Sequence, residues 1–161
     1  MSDALVIRDA RAGDEDAIFA LLKEFAEFEK LTHKFHITRD IIARDLMGDR
    51  RCVQCDVAEC DGALAGVMIW YRIYGTFEAR PALFLEDLFV RREFRRRGIG
   101  KGLLAQLVRY AIDEGANRID WCVLDWNRPA MDFYDEIGAH AVSEWKVYRL
   151  GADAFHRLVD A

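Results

Sequence analysis

Residues 91–102 hold five arginines (Arg91, Arg92, Arg95, Arg96, Arg97), Lys101 and three glycines (Gly98, Gly100, Gly102). In front of them, residues 82–90 form a nearly continuous apolar run that reads as a strand buried on both faces. Behind them, Ile99, Leu103, Leu104, Leu107, Val108 and Ala111 share one face of an amphipathic helix. A buried strand that enters a long helix through such a loop commits the chain to a sheet covered by helices. The glycines let backbone N–H groups approach a ligand with no Cβ in the way. Those groups, the positive end of the helix dipole and the arginines converge on one place, which suits a phosphate or pyrophosphate.

The rest of the chain extends this pattern. Residues 4–8 read as a strand, and from Asp14 the residues Ala17, Ile18, Leu21, Leu22, Phe25 and Phe28 recur at helical spacing. Thr38 caps a shorter helix carrying Ile41, Ile42 and Leu46. Residues 52–59 and 63–74 are strands joined by Asp61-Gly62, a hairpin signal. Residues 118–124 read as a further buried strand, and Asn127-Arg128-Pro129 opens a helix that Gly138 closes. A last strand is expected at 142–150 and a short helix at 152–159. The order β-α-α-β-β-β-α-β-α-β has no repeats or linkers. It predicts one α/β domain over residues 1–161, with a mixed, mostly antiparallel sheet flanked by helices.

Composition narrows the function. The 161 residues are 52% hydrophobic and 32% charged, with a net charge of −5, so a general nucleic-acid binder is disfavoured. No window of 18 or more apolar residues exists, which argues against a membrane span, and the N-terminus lacks a secretory pattern; a cytoplasmic location is expected. Cys52-x-x-Cys55 has no second pair, so buried free thiols are expected rather than zinc, and His33 and His36 are too isolated to argue for a metal. The loop is not a P-loop, because Arg95 and Gly102 stand where glycine and Ser or Thr are required. It misses the dinucleotide fingerprint as well, its third glycine falling one position early.

What remains, Arg95-x-x-Gly98-x-Gly100, resembles the coenzyme-A pyrophosphate loop of the GNAT superfamily of N-acetyltransferases. Leu85-Glu86-Asp87-Leu88-Phe89-Val90 before it, and Asp125-Trp126-Asn127-x-Pro129 and Phe133-Tyr134-x-x-x-Gly138-Ala139 after it, resemble the diamine (spermidine/spermine-type) branch. The resemblance implies the GNAT-type acyl-CoA N-acyltransferase fold and acetyl-CoA as co-substrate. The coenzyme is expected in a cleft where the strand ending at Val90 splays from the one beginning near Arg118. Leu88, Phe89 and Val90 would hold its pantetheine arm, and Arg95, Arg96, Arg97, Gly98, Ile99, Gly100 and Lys101 its pyrophosphate. Asn127 and Phe133 would lie against the coenzyme, Tyr134 would be the general acid, and a homodimer is expected.

On the acceptor side, an alkylamine with a pKa near ~10 must lose a proton before it attacks. Glu86 is expected to bind the amine and remove that proton through water. Asp87, adjacent in a strand, is expected on the opposite face. A structural ion pair with an arginine is the other reading of these two carboxylates. Phe28-Glu29 resembles the Tyr-Glu pair with which the diamine branch contacts its cation, with one hydroxyl missing, and Glu144-Trp145 resembles a segment near the substrate. The expected activity is acetyl transfer to a primary amine of a diamine, polyamine or lysine-like amino acid. A protein lysine or N-terminal acetyltransferase and a non-catalytic acyl-CoA sensor are the alternatives.

Overall fold

The computed structural model describes residues 5–159. The chain divides into two compact units, one running to Cys122 and one from Val123 onward.

In the first unit, β1 (Leu5–Asp9), β2 (Gln54–Cys60), β3 (Ala63–Gly75), β4 (Arg80–Val90) and β5 (Ile119–Trp121) form one sheet in the order β1-β2-β3-β4-β5. The first four strands are antiparallel to their neighbours, and β5 joins β4 in parallel. The expected start at Ala4 lies outside the described residues. The hairpin between β2 and β3 turns on Asp61 (φ 53°) and Gly62 (φ 78°), the left-handed pair that a two-residue loop requires.

Helix α1 (Glu15–Phe28) covers one face of the sheet. Its Ile18, Leu21 and Leu22 pack with Ile42, Leu46, Cys55, Val57, Val67, Ile69 and Phe89. Thr38 caps α2 (Arg39–Ile41) by accepting from the Ile41 N–H at 3.3 Å, and a π-helical stretch, Ile42–Met47, follows. Helix α3 (Ile99–Asp113) covers the other face, with Ile99, Leu103, Leu104, Leu107 and Ala111 buried and Val108 exposed. There Trp70 stacks on Tyr110 at 5.0 Å. Both rings donate to the buried carboxylate of Asp56, Trp70 Nε1 at 2.8 Å and Tyr110 Oη at 2.9 Å.

The second unit contains α4 (Arg128–Glu136) and α5 (Phe155–Val159). The strand expected at 142–150 does not form: apart from a turn at Ser143–Glu144 the segment has no regular structure. Its large side chains are exposed, Trp145 by 76% and Tyr148 by 92%. Strand preference reflects packing on a half-buried surface, and unburied apolar residues do not receive that stabilisation. The strand expected at 118–124 is likewise cut to three half-buried residues, Ile119–Trp121.

Candidate active site

The parallel ladder of β4 with β5 runs only from Leu83↔Ile119 to Leu85↔Trp121. Beyond it β4 continues to Val90 with β3 on its other side. Arg91 donates its N–H to the Ala65 carbonyl at 2.9 Å. Backbone direction alternates in an antiparallel pair, so Phe89 turns its N–H and C=O towards β3 while Leu88 and Val90 turn theirs to the open edge. The Val90 carbonyl there accepts from Arg95 Nε at 3.0 Å.

The basic loop follows directly. Gly98, at φ 78°, is the N-cap of α3, and an ideal Cβ on it would meet nothing within 4 Å, so backbone conformation alone calls for glycine. The first helical bond runs from the Gly102 N–H to the Gly98 carbonyl at 2.8 Å. The N–H groups of Ile99, Gly100 and Lys101 therefore precede it, with no intrahelical acceptor. An ideal Cβ on Gly100 would lie 3.8 Å from Val90 Cγ2, which seats the helix start on the end of β4. Arg95, Arg96, Arg97 and Lys101 are exposed around it. Arg95 folds back, its guanidinium 5.0 Å from the Phe28 ring and 5.7 Å from that of Phe89. This set suits a ligand with an extended hydrogen-bonding arm ending in a phosphate group: an open strand edge runs into N–H groups, a helix dipole and cationic side chains.

A bulge shapes the acceptor side. Ile69 lies opposite Asp87 and Trp70 opposite Leu85, so Glu86 is the extra residue. The extra residue interrupts the alternation and corrects the expectation that Glu86 and Asp87 face opposite ways. Asp87 pairs with Ile69, which faces α1. Glu86 accepts from the hydroxyl of Tyr71 at 3.2 Å, and the Tyr71 ring stacks on Phe84 at 5.2 Å on that same face. Both carboxylates thus point to the α1 side, where Phe28 ends α1 and Glu29 caps it. Burial, and then the charges of Glu86 and Glu29, push the Asp87 carboxyl up to about 7. Burial also raises that of Glu29. Phe28, Glu29, Glu86 and Asp87 come together as one acidic face beside the open β4 edge. Tyr71 was missed in the sequence, since only the cross-strand register brings it to Glu86.

In the second unit Asn127 is buried and caps α4, accepting from the Ala130 N–H at 3.4 Å, with Pro129 in the first turn. Phe133 and Tyr134 are half-buried neighbours with ring centroids 5.6 Å apart. The helix ends with Gly138 at φ 87°; its N–H bonds to Asp135 O and that of Ala139 to Tyr134 O, each at 3.0 Å. This is a Schellman ending, and it accounts for the glycine four residues after Tyr134.

Cys55 and Cys60 are buried, whereas Cys52 and Cys122 are exposed, so only two of the four thiols follow the burial expectation. Burial pushes the Cys55 thiol well above its ordinary range. Among the described residues no group of three or more His, Cys, Asp or Glu could hold a metal ion. No helix there is long and apolar enough to cross a membrane.

A sheet open along β4, with a basic, glycine-rich helix start at the end of that edge, is the arrangement that the motifs lead one to expect of an acyl-group transferase. Residues 16–139 match the acetyltransferase (GNAT) family, and the chain belongs to that family. It is an N-acetyltransferase. Over 165 residues it is 33% identical to a thialysine N-epsilon-acetyltransferase from Bos taurus, covering 96% of each chain. It is 30% identical over 161 residues to a spermidine/spermine N(1)-acetyltransferase-like protein from Homo sapiens, spanning 94% of this chain and 23% of that protein. An integron cassette protein from the mobile metagenome of V. cholerae shares the fold, with a TM-score of 0.77, 22% identity and 98% of both chains covered.

Proposed function

We propose that this enzyme transfers acetyl from acetyl-CoA to the primary amine of a small cationic acceptor: a diamine, a polyamine or a lysine-like amino acid. The observation that carries the reading is the gathering of Glu29, Glu86 and Asp87 on one face beside the open β4 edge. Mutual repulsion and burial make three neighbouring carboxylates costly, and an ammonium group relieves that cost. Leu88 and Val90, whose backbone groups face the open edge, are assigned to the pantetheine arm; Phe89, expected there too, has its backbone turned to β3 and supports the strand between them. Arg95, Arg96, Arg97, Gly98, Ile99, Gly100 and Lys101 are assigned to the pyrophosphate, and Asn127 and Phe133 to the same coenzyme. The coenzyme supplies the activated acyl group.

The remaining chemistry falls to side chains. Phe28, Glu29 and Asp87 hold the acceptor, and Glu86 binds its ammonium and removes a proton through water. Tyr134 is the general acid that protonates the departing sulfur. Its support is the motif Phe133-Tyr134-x-x-x-Gly138-Ala139, together with the cap and the Schellman ending that fix its helix at both ends. One domain over residues 1–161, a homodimer and a cytoplasmic location belong to the same reading. The family match supports the first, since it spans both compact units.

Tyr134→Phe tests the acid role. Single-turnover acetyl transfer should fall by roughly 100-fold or more, with coenzyme affinity by calorimetry within about twofold of the parent, since the assigned role adds no ground-state binding. Equal turnover by parent and variant between pH 6 and 9 would remove Tyr134 from that role.

A further inference from the structure

The bulge creates a problem that the sheet alone does not solve. Glu86 has no residue directly opposite it on β3, so no directly paired side chain sets its own. It is also exposed, and an exposed glutamate ordinarily samples several rotamers. A carboxylate that is to hold an ammonium group in one place must be anchored by something else.

Tyr71 is placed to do this. Its position is fixed twice, by the β3–β4 register opposite Phe84 and by the stacking of the two rings at 5.2 Å. Its hydroxyl then reaches along the sheet face to Glu86 Oε2 at 3.2 Å. We infer that Tyr71 is a positioning residue for the acceptor site, holding the Glu86 carboxylate on the bulge in the orientation that receives the cationic amine. A phenol bonded at one carboxylate oxygen leaves the other free for a second donor, which is what ammonium binding requires. Burial, and then the neighbouring Glu86, hold the Tyr71 phenol above its usual range. Phe84, which lacks a hydroxyl, serves only as the surface on which the Tyr71 ring rests.

The inference rests on the acceptor site proposed above, and a double-mutant cycle separates the two. Tyr71→Phe keeps the ring and its stacking and removes only the donor. Parent, Tyr71→Phe, Glu86→Gln and the double variant would be compared for binding of 1,5-diaminopentane by calorimetry and for its acetylation. Losing a hydrogen bond to a charged group should lower kcat/KM for the amine, and its affinity, by about tenfold in the parent background. In the Glu86→Gln background the same change should cost less than about twofold. Coenzyme affinity and melting temperature should stay at parent values. An equal loss from Tyr71→Phe in both backgrounds, or no loss in either, would overturn the inference. A coupled binding cycle with no acetylation would leave Tyr71 and Glu86 paired and overturn the reading of this diamine as an acceptor instead.

Discussion

Ala139 donates its N–H to the carbonyl of Tyr134 at 3.0 Å, across the left-handed turn made by Gly138. The residue assigned as general acid is thereby tied through its own backbone to the end of α4. Gly138→Ala places a Cβ at φ 87°, where it meets no neighbour within 4 Å, so the cost is conformational, about 1 kcal/mol. Thermal melts should register that loss, and kcat should fall while coenzyme affinity holds. An unchanged kcat would show that the Schellman ending is not needed to orient Tyr134.

Gly98 gives a sharper case at the basic loop. It caps α3 at φ 78° with open space around its Cβ position. Gly98→Ala should cost about 1 kcal/mol of stability and weaken coenzyme binding only a few-fold. Gly98→Asp adds a negative charge beside the N–H groups of Ile99, Gly100 and Lys101, and its coenzyme affinity should drop by tenfold or more beyond the alanine variant, corresponding to about 1.4 kcal/mol or more. Calorimetry with coenzyme A measures both. Equal affinities for the two variants would remove the pyrophosphate from this loop.

The sequence carried those features whose cause is local. The Asp61-Gly62 turn, the Thr38 cap, the Asn127 cap and the Gly138 helix end each depend on a few adjacent residues, and each formed as expected. What it did not carry were relations between distant segments. The bulge that turns Glu86 and Asp87 to one face is an event in the register of β3 against β4. The contact from Tyr71 to Glu86 follows from that same register. The π-helical stretch Ile42–Met47 shares its apolar spacing with an ordinary helix. The apolar side chains of the strand expected at 142–150 stay exposed, and sequence composition does not reveal whether a face will be buried.

Asp87 should write itself into the pH dependence of stability. Its carboxyl is raised to about 7 in the folded chain, against about 4 when unfolded. Between those values the folded state holds a proton that the unfolded state has released, so stability falls as pH rises through the window. Asp87→Asn cannot ionise and should be more stable than the parent at pH 8, by on the order of 3 kcal/mol, with the difference vanishing near pH 4. Urea melts at the two pH values measure it. A variant less stable than the parent at pH 8 would refute the buried, like-charged environment.

Asp56 supplies the opposite case, a buried carboxylate with partners. Burial raises its pKa, and the bonds from Trp70 and Tyr110 partly counter that rise. Tyr110→Phe keeps the ring and removes one donor to the charged form. It should cost roughly 1–3 kcal/mol, more at pH 8 than at pH 5 because the lost bond favours ionised Asp56. Denaturant unfolding at both pH values would show this, and a loss that does not change with pH would mean that the hydroxyl contributes by packing alone.

Coenzyme-A release from acetyl-CoA reports directly on acetyl transfer to a small cationic amine. The acceptors to compare are 1,5-diaminopentane, spermidine, lysine, its thioether analogue and a lysine-containing peptide. Saturable release is expected with at least one small cation, little with the peptide, and the small-cation activity should be lost in Glu86→Gln. Tight coenzyme binding without release on any small amine, or turnover confined to the peptide, would contradict acetyl transfer to a small cation.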